Sequence, residues 1–197
     1  MHRISSTFFA LTFGAAMTLA AAAQSSMQSG ADPGQQNNSM GKQSAGTASS
    51  DTNFMKKAAA GGLAEVELGQ LAVQKASNEQ VKQFGQRMID DHSKANEQLK
   101  NLAAQEHVTL PTKPELKDRQ TKDRLEKLSG TEFDQAYMSD MLKDHKKDVA
   151  EFERESKTAK NPAVKSFAEQ TLPVLREHLS QAEQIAPTQK TQASNKQ

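Results

Sequence analysis

Glu65, His92, His145 and His178 are the residues of this chain best suited to chemistry. Each falls on the apolar stripe of a different predicted helix, and neutral imidazole with carboxylate is a donor set for a divalent transition metal. At about 100° per residue, Glu65 lies within about 20° of Phe54 and Ala72, whereas Glu67 points away. By the same wheel His92 falls between Phe84 and Ile89, His145 between Met141 and Met138, and His178 between Phe167 and Leu175. Their heights agree as well. Glu65 stands 12 residues before the turn near Ser77 and His92 15 after it; His145 stands 15 before the turn near Lys160 and His178 18 after it. At 1.5 Å per residue each mismatch is about one helical turn, so the four residues are expected to form one layer.

A buried charge or an unpaired imidazole costs on the order of several kcal/mol unless something compensates it. Two compensations are open. One is a mononuclear site for iron, zinc, manganese or copper held by Glu65, His92, His145 and His178. The other is a polar layer in which Glu65 pairs with protonated histidines and sets the register of the helices. Asp91, Asp144 and Glu177 immediately precede the three histidines, and Asp148 follows His145 on the inner side of its helix. Adjacent helical residues do not share a face, so these four acids are candidates to bind at the edge of the site or to orient the imidazoles from behind. Met138 and Met141 would suit a softer metal, although methionine at helical spacing is ordinarily core. His107, near a helix end, has no such company and is expected in solvent.

The elements that must position this layer are helices. Beyond residue 50, apolar residues recur at intervals of three and four, strand-like alternation is absent, and Ala, Leu, Gln, Glu and Lys dominate. The pattern predicts an all-α antiparallel four-helix bundle with a short bridging helix between two hairpins. Helix one starts after the cap candidates Asp51 or Thr52 and runs to about residue 76, turning Phe54, Ala58, Val66, Leu68, Ala72 and Val73 inward. Ser77 and Asn78 break it and cap helix two, about 79–105, which ends before Pro111 and Pro114. The bridge spans about 115–128, followed by Gly130 as a left-handed stop and Thr131 as the cap of helix three, about 132–158. Asn161 and Pro162 open helix four, which runs to about residue 185 and carries Pro173, where a kink is expected. Asn78, Val81, Lys82 and Phe84 match Asn161, Val164, Lys165 and Phe167 at a constant offset of 83. An internal duplication and two amphipathic helices that open alike both account for this.

The remaining chain points to export. His2 and Arg3 precede an apolar run from Phe8 to Ala23 that ends in small residues, the pattern of a signal peptide (1–23) cleaved near Gln24. The run is too short and alanine-rich for a spanning helix, and no second one follows, so the mature protein is expected to be soluble. Residues 24–50 are Ser, Gly, Gln and Asn with little to bury, and read as a disordered linker; 187–197 reads as a flexible tail. The folded domain is then 51–186. With no cysteine there are no disulfides and no thiol for a lipid anchor.

Lys and Arg total 25 against 24 Asp and Glu, and loss of Arg3 with the signal balances them. Balanced charge, one tyrosine and no tryptophan argue against nucleic acid, anionic membranes or sugar stacking. No nucleophile motif, phosphate loop or cysteine-based zinc pattern is present, which removes the usual hydrolases.

Four segments in order carry a family resemblance: Gly61-Gly62-Leu63-Ala64-Glu65-Val66-Glu67-Leu68-Gly69-Gln70-Leu71-Ala72, Met88-Ile89-Asp90-Asp91-His92, Ser129-Gly130-Thr131-Glu132-Phe133-Asp134, and Leu172-Pro173-Val174-Leu175-Arg176-Glu177-His178-Leu179. Across residues 51–186 the chain resembles the exported bacterial domain-of-unknown-function family 4142, regarded as ferritin-like and often labelled an outer-membrane or membrane protein. The resemblance implies a four-helix bundle and supplies no activity. Ferritin-like di-iron sites carry Glu-x-x-His on two helices. Here the residues three before His92, His145 and His178 are Ile89, Leu142 and Leu175, which disfavours a di-iron centre. Two functions follow. One is a transition-metal-binding protein of the periplasm or cell exterior, in metal handling or oxidative-stress protection. The other is a structural or stress-related envelope protein, working through envelope partners, whose Glu/His layer only specifies packing. Neither expectation assigns a catalytic residue.

Overall fold

The structure, a computed structural model, describes the backbone of residues 39–194 and the side chains of residues 50–186. The expected signal segment and the first part of the expected linker lie outside the described residues. Among the described residues the chain is all-helical, with α1 (Ser39–Lys75), α2 (Glu79–Gln105), α3 (Leu116–Glu126), α4 (Gly130–Thr158) and α5 (Pro162–Ser194) and no strand. No helix among them is long and apolar enough to cross a membrane.

Short turns fold α1 against α2 and α4 against α5 as hairpins, and the hairpins meet through α2 with α5 and α1 with α4. Each second helix opens on the asparagine expected to cap it. Asn78 Oδ1 accepts the Gln80 amide at 2.8 Å, and Asn161 Oδ1 accepts the Ala163 amide at 2.8 Å, with Pro162 the first residue of α5. The turns are also held from across the molecule. Asp134, on α4, accepts the Ser77 and Asn78 amides at 3.0 and 2.9 Å and the Ser77 hydroxyl at 2.5 Å. Asp51, on α1, accepts the Lys160 and Asn161 amides at 3.0 and 2.7 Å.

Several boundaries depart from the sequence reading. α1 begins at Ser39, inside the stretch expected as linker, so Asp51 and Thr52 do not cap it. Once the packed part of α1 exists, each further residue adds a hydrogen bond without a new nucleus, which lets a polar segment continue the helix. The same reasoning carries α5 past residue 185 to Ser194, unbroken through Pro173. Gly130 has the left-handed φ of 57° that glycine suits, but α4 is counted from Gly130 itself, with Ser129 rather than Thr131 flanking it. Val73, expected inside, is 37% exposed.

Two apolar clusters fill the interior. One surrounds Leu68, Phe84, Met88, Tyr137 and Met141; the other surrounds Phe54, Leu99, Phe152, Phe167 and Leu175, with the Phe54 and Phe152 rings edge-on at 5.0 Å. Along every long helix the layer residue falls between the clusters: Glu65 between Ala59 and Leu68, His92 between Met88 and Leu99, His145 between Met141 and Phe152, His178 between Leu175 and Ala182. The apolar burial, about 1.5–3 kcal/mol per large side chain, therefore clamps the polar layer from above and below.

Candidate metal centre

Three of the four residues come together. His92 on α2, His145 on α4 and His178 on α5 are 8%, 0% and 0% exposed, and each offers a nitrogen within 4.8 Å of the others. Their ring centroids are 5.9, 5.4 and 5.3 Å apart, and Phe84 closes the layer with its ring 6.3 Å from His145 and 6.5 Å from His178.

The hydrogen bonds behind the rings decide which nitrogens are bare. His145 Nδ1 lies 3.0 Å from the Met141 carbonyl, which can only accept, so Nδ1 carries the proton. His178 Nε2 lies 2.8 Å from Asp91 Oδ2. Burial raises the Asp91 carboxyl, but hydrogen bonds from His178 and Arg87 outweigh it and leave the group below its ordinary value, hence ionised and accepting. His178 therefore donates through Nε2. What remains is His145 Nε2 facing His178 Nδ1 at 3.3 Å, two lone pairs with no hydrogen between them. His92 stands beside them, its buried Nε2 without a hydrogen-bond partner.

A proton could relieve this opposition, but the surroundings resist one. Burial, then the neighbouring His178, pushes His145 down to about 4. Burial, then His145 and His178, holds His92 well below its ordinary value. Burial lowers His178 too, despite the bond to Asp91. Three neutral imidazoles with nitrogens within 4.8 Å of one another, two of them with facing lone pairs, fit a divalent transition metal: 3.3 Å is the edge of a tetrahedron with bonds of about 2.0 Å, the usual metal–imidazole length.

Glu65 does not join this cluster of donor atoms. Glu65, on α1 at the same level, stands instead among Asp118 of α3 and Asp140, Asp144 and Asp148 of α4. Burial, then Asp148, Asp144 and Asp118, drives its carboxyl well above the ordinary value, and its Oε2 has no partner. The Tyr137 hydroxyl is likewise buried without a partner, and is pushed up by burial and by Glu65.

The four flanking acids part company. Asp91 holds His178, a histidine on a different helix from its neighbour in sequence. Glu177 reaches the site only through Arg87, which bonds both Asp91, at 3.2 Å, and Glu177. Asp144 pairs with Lys147 at 2.8 Å. Asp148 lines a cavity beside His92 and is pushed up to about 7 by burial, then by Asp144 and Glu151. Arg87 was missed in the sequence, although its place one turn before Asp91 marked it as a partner. His107 is exposed, with a left-handed φ of 54° that ends α2.

Fold and site together define an all-helical protein with a buried histidine triad backed by a carboxylate. Residues 36–185 match the family model described as "Domain of unknown function (DUF4142)", and the chain belongs to that family. No curated protein matches it. Among solved structures it is similar to "CopM in the Cu(II)-bound form", with a TM-score of 0.60 and 15% identity over 70% of this chain and 96% of that one. At that identity the likeness is one of fold.

Proposed function

We propose that this is an exported, ferritin-like four-helix bundle protein that binds one divalent transition metal through His92, His145 and His178, in the service of metal handling. The observation that carries the reading is the pair of bare nitrogens, His145 Nε2 and His178 Nδ1, facing each other at 3.3 Å with His92 beside them. A cation between them replaces a repulsion with three bonds, and Asp91 fixes the tautomer and raises the basicity of His178. Copper is the favoured ion, because affinity for such donors peaks at Cu(II) and because the similar fold of CopM is described with Cu(II) bound. Glu65, outside the cluster of donor atoms, is not a ligand in this scheme. Residues 1–23 would direct the chain to the periplasm or cell exterior.

The deciding experiment is metal content by mass spectrometry on untagged protein, before and after reconstitution with Cu(II), beside a His92→Ala, His145→Ala variant checked for helicity by circular dichroism. Stoichiometric metal in the first and none in the second is expected. Metal absent from both would leave the layer as a packing device in an envelope protein.

A further inference from the structure

Beside the triad a cavity of about 290 Å³ opens, lined from all five helices. Its wall includes Gly62, Ala95, Asp118, Asp148 and His92. At the offset of 83 that relates Asn78 to Asn161, Gly62 corresponds to His145 and Ala95 to His178. Where the second hairpin carries two imidazoles, the first carries a hydrogen and a methyl group; the Asn96 side chain fills the place a side chain on Gly62 would take, and Ala95 presents its methyl to the cavity. His92 forms one end of it, 8% exposed and with Nε2 unpartnered.

We propose that this cavity is the path by which a divalent cation reaches the triad, with Asp118 and Asp148 drawing it toward His92. The proposal rests on the triad reading and adds the direction of approach. Asp118 and Asp148 stand near Asp144, and the other ionic groups of the wall pair with one another: Glu151 with Lys57 at 4.0 Å, and also with Arg154 at 3.5 Å, and Lys117 with Glu115 at 3.5 Å. Neither Asp118 nor Asp148 makes a salt bridge among the described residues, and burial raises both above their ordinary values, with Lys117 opposing the rise and neighbouring acids adding to it. A passing cation relieves that repulsion. A second cavity, between α2 and α5, shares His92, Ala95, Thr171 and Leu175 with the first and also touches His178. It carries Lys94, and its one carboxylate, Asp91, is already committed to His178 and Arg87. Lys94 repels a cation in the second cavity, whereas in the first the carboxylates Glu115, Asp118, Asp148 and Glu151 outnumber the ammoniums Lys57 and Lys117, and an excess of negative charge in a low-dielectric cleft raises cation on-rates by about tenfold or more.

The test is stopped-flow mixing of the full chain with Co(II), followed by the visible absorption of the bound ion, at two ionic strengths. Asp118→Asn with Asp148→Asn should slow association about five- to tenfold and flatten its salt dependence while one ion still binds. Lys94→Glu should leave the rate within about twofold of the unaltered protein. An unchanged rate in the double variant, or a faster one in Lys94→Glu, overturns the path. Loss of stoichiometric binding in a folded double variant overturns it too, by making the two acids part of the site. Failure of the unaltered protein to bind any Co(II) or Cu(II) overturns the triad itself.

Discussion

Asp51 and Asp134 stand 83 positions apart, and each closes the turn of the hairpin to which it does not belong. Asp134 is 1% exposed and holds the α1–α2 turn from α4; Asp51 is 5% exposed and holds the α4–α5 turn from α1. The offset is the one that relates Asn78 to Asn161, so the repeat extends from a cap motif to a reciprocal tertiary contact, which favours duplication over two helices that merely open alike. Hydrogen bonds to a carboxylate contribute about 1.5–3 kcal/mol each, less the loss to water. Asp134→Ala, which strips three, should destabilise the protein by about 3 kcal/mol, and Asp51→Ala by about 2 kcal/mol. Urea unfolding followed by circular dichroism measures both, and a loss under about 0.5 kcal/mol would show the contacts to be incidental.

In the metal-free protein the triad is a stability defect. His92→Leu removes an imidazole whose Nε2 has no partner and should raise apo stability by about 1 kcal/mol. The unaltered protein should gain stability with added Cu(II) as mass action requires, and the variant should not. Paired thermal melts with and without Cu(II) separate the two effects; a destabilised apo variant would mean that His92 packs better than leucine.

His145 makes apo stability depend on pH. Its value is about 4 in the fold against 6.5 ordinarily. Between those limits the unfolded chain holds a proton that the folded one refuses, so stability falls as pH drops through the interval. The loss should reach about 2 kcal/mol near pH 4 and shrink in His145→Leu. Urea midpoints from pH 7.5 to 4 would show it, and parallel curves for the two proteins would refute it.

Asp148 acts with the opposite sign. Held at about 7 against 3.8 ordinarily, it keeps a proton in the fold that the unfolded chain has released, so its contribution is lost as pH rises from 4 through 7. Asp148→Asn should therefore match the unaltered protein near pH 4 and exceed it by about 1–2 kcal/mol at pH 8, after allowance for partial exposure. Equal stability at pH 8 would place Asp148 in water.

Gly69 and Gly85 let α1 and α2 approach closely. A Cβ on Gly85 would meet Ala72 Cβ at 2.7 Å and the Gly69 carbonyl at 3.0 Å, whereas one on Gly61 meets nothing within 4 Å. Gly85→Ala should cost about 2 kcal/mol through overpacking, and Gly61→Ala should gain about 0.5–1 kcal/mol from helix propensity. Thermal unfolding of both variants tests the contrast, which disappears if the hairpin can open to admit the methyl.

The sequence by itself determined the helices, the caps at Asn78, Asn161 and Pro162, and the placement of three histidines and Glu65 at one level between apolar stretches. These are properties of a 3.6-residue period and a 1.5 Å rise, readable wherever the pattern is long. Tertiary structure decided the rest. Helix neighbours differ by about 100°, so Asp91 could not serve His92 beside it, and only the packing of α2 against α5 sets it on His178. Period and rise say nothing about which groups at one level converge, and only the packing gathers the three imidazoles while leaving Glu65 among the acids of α3 and α4. Nor does a helical wheel give tautomers: the Met141 carbonyl and the Asp91 carboxylate choose them, and so decide that two bare nitrogens meet at 3.3 Å.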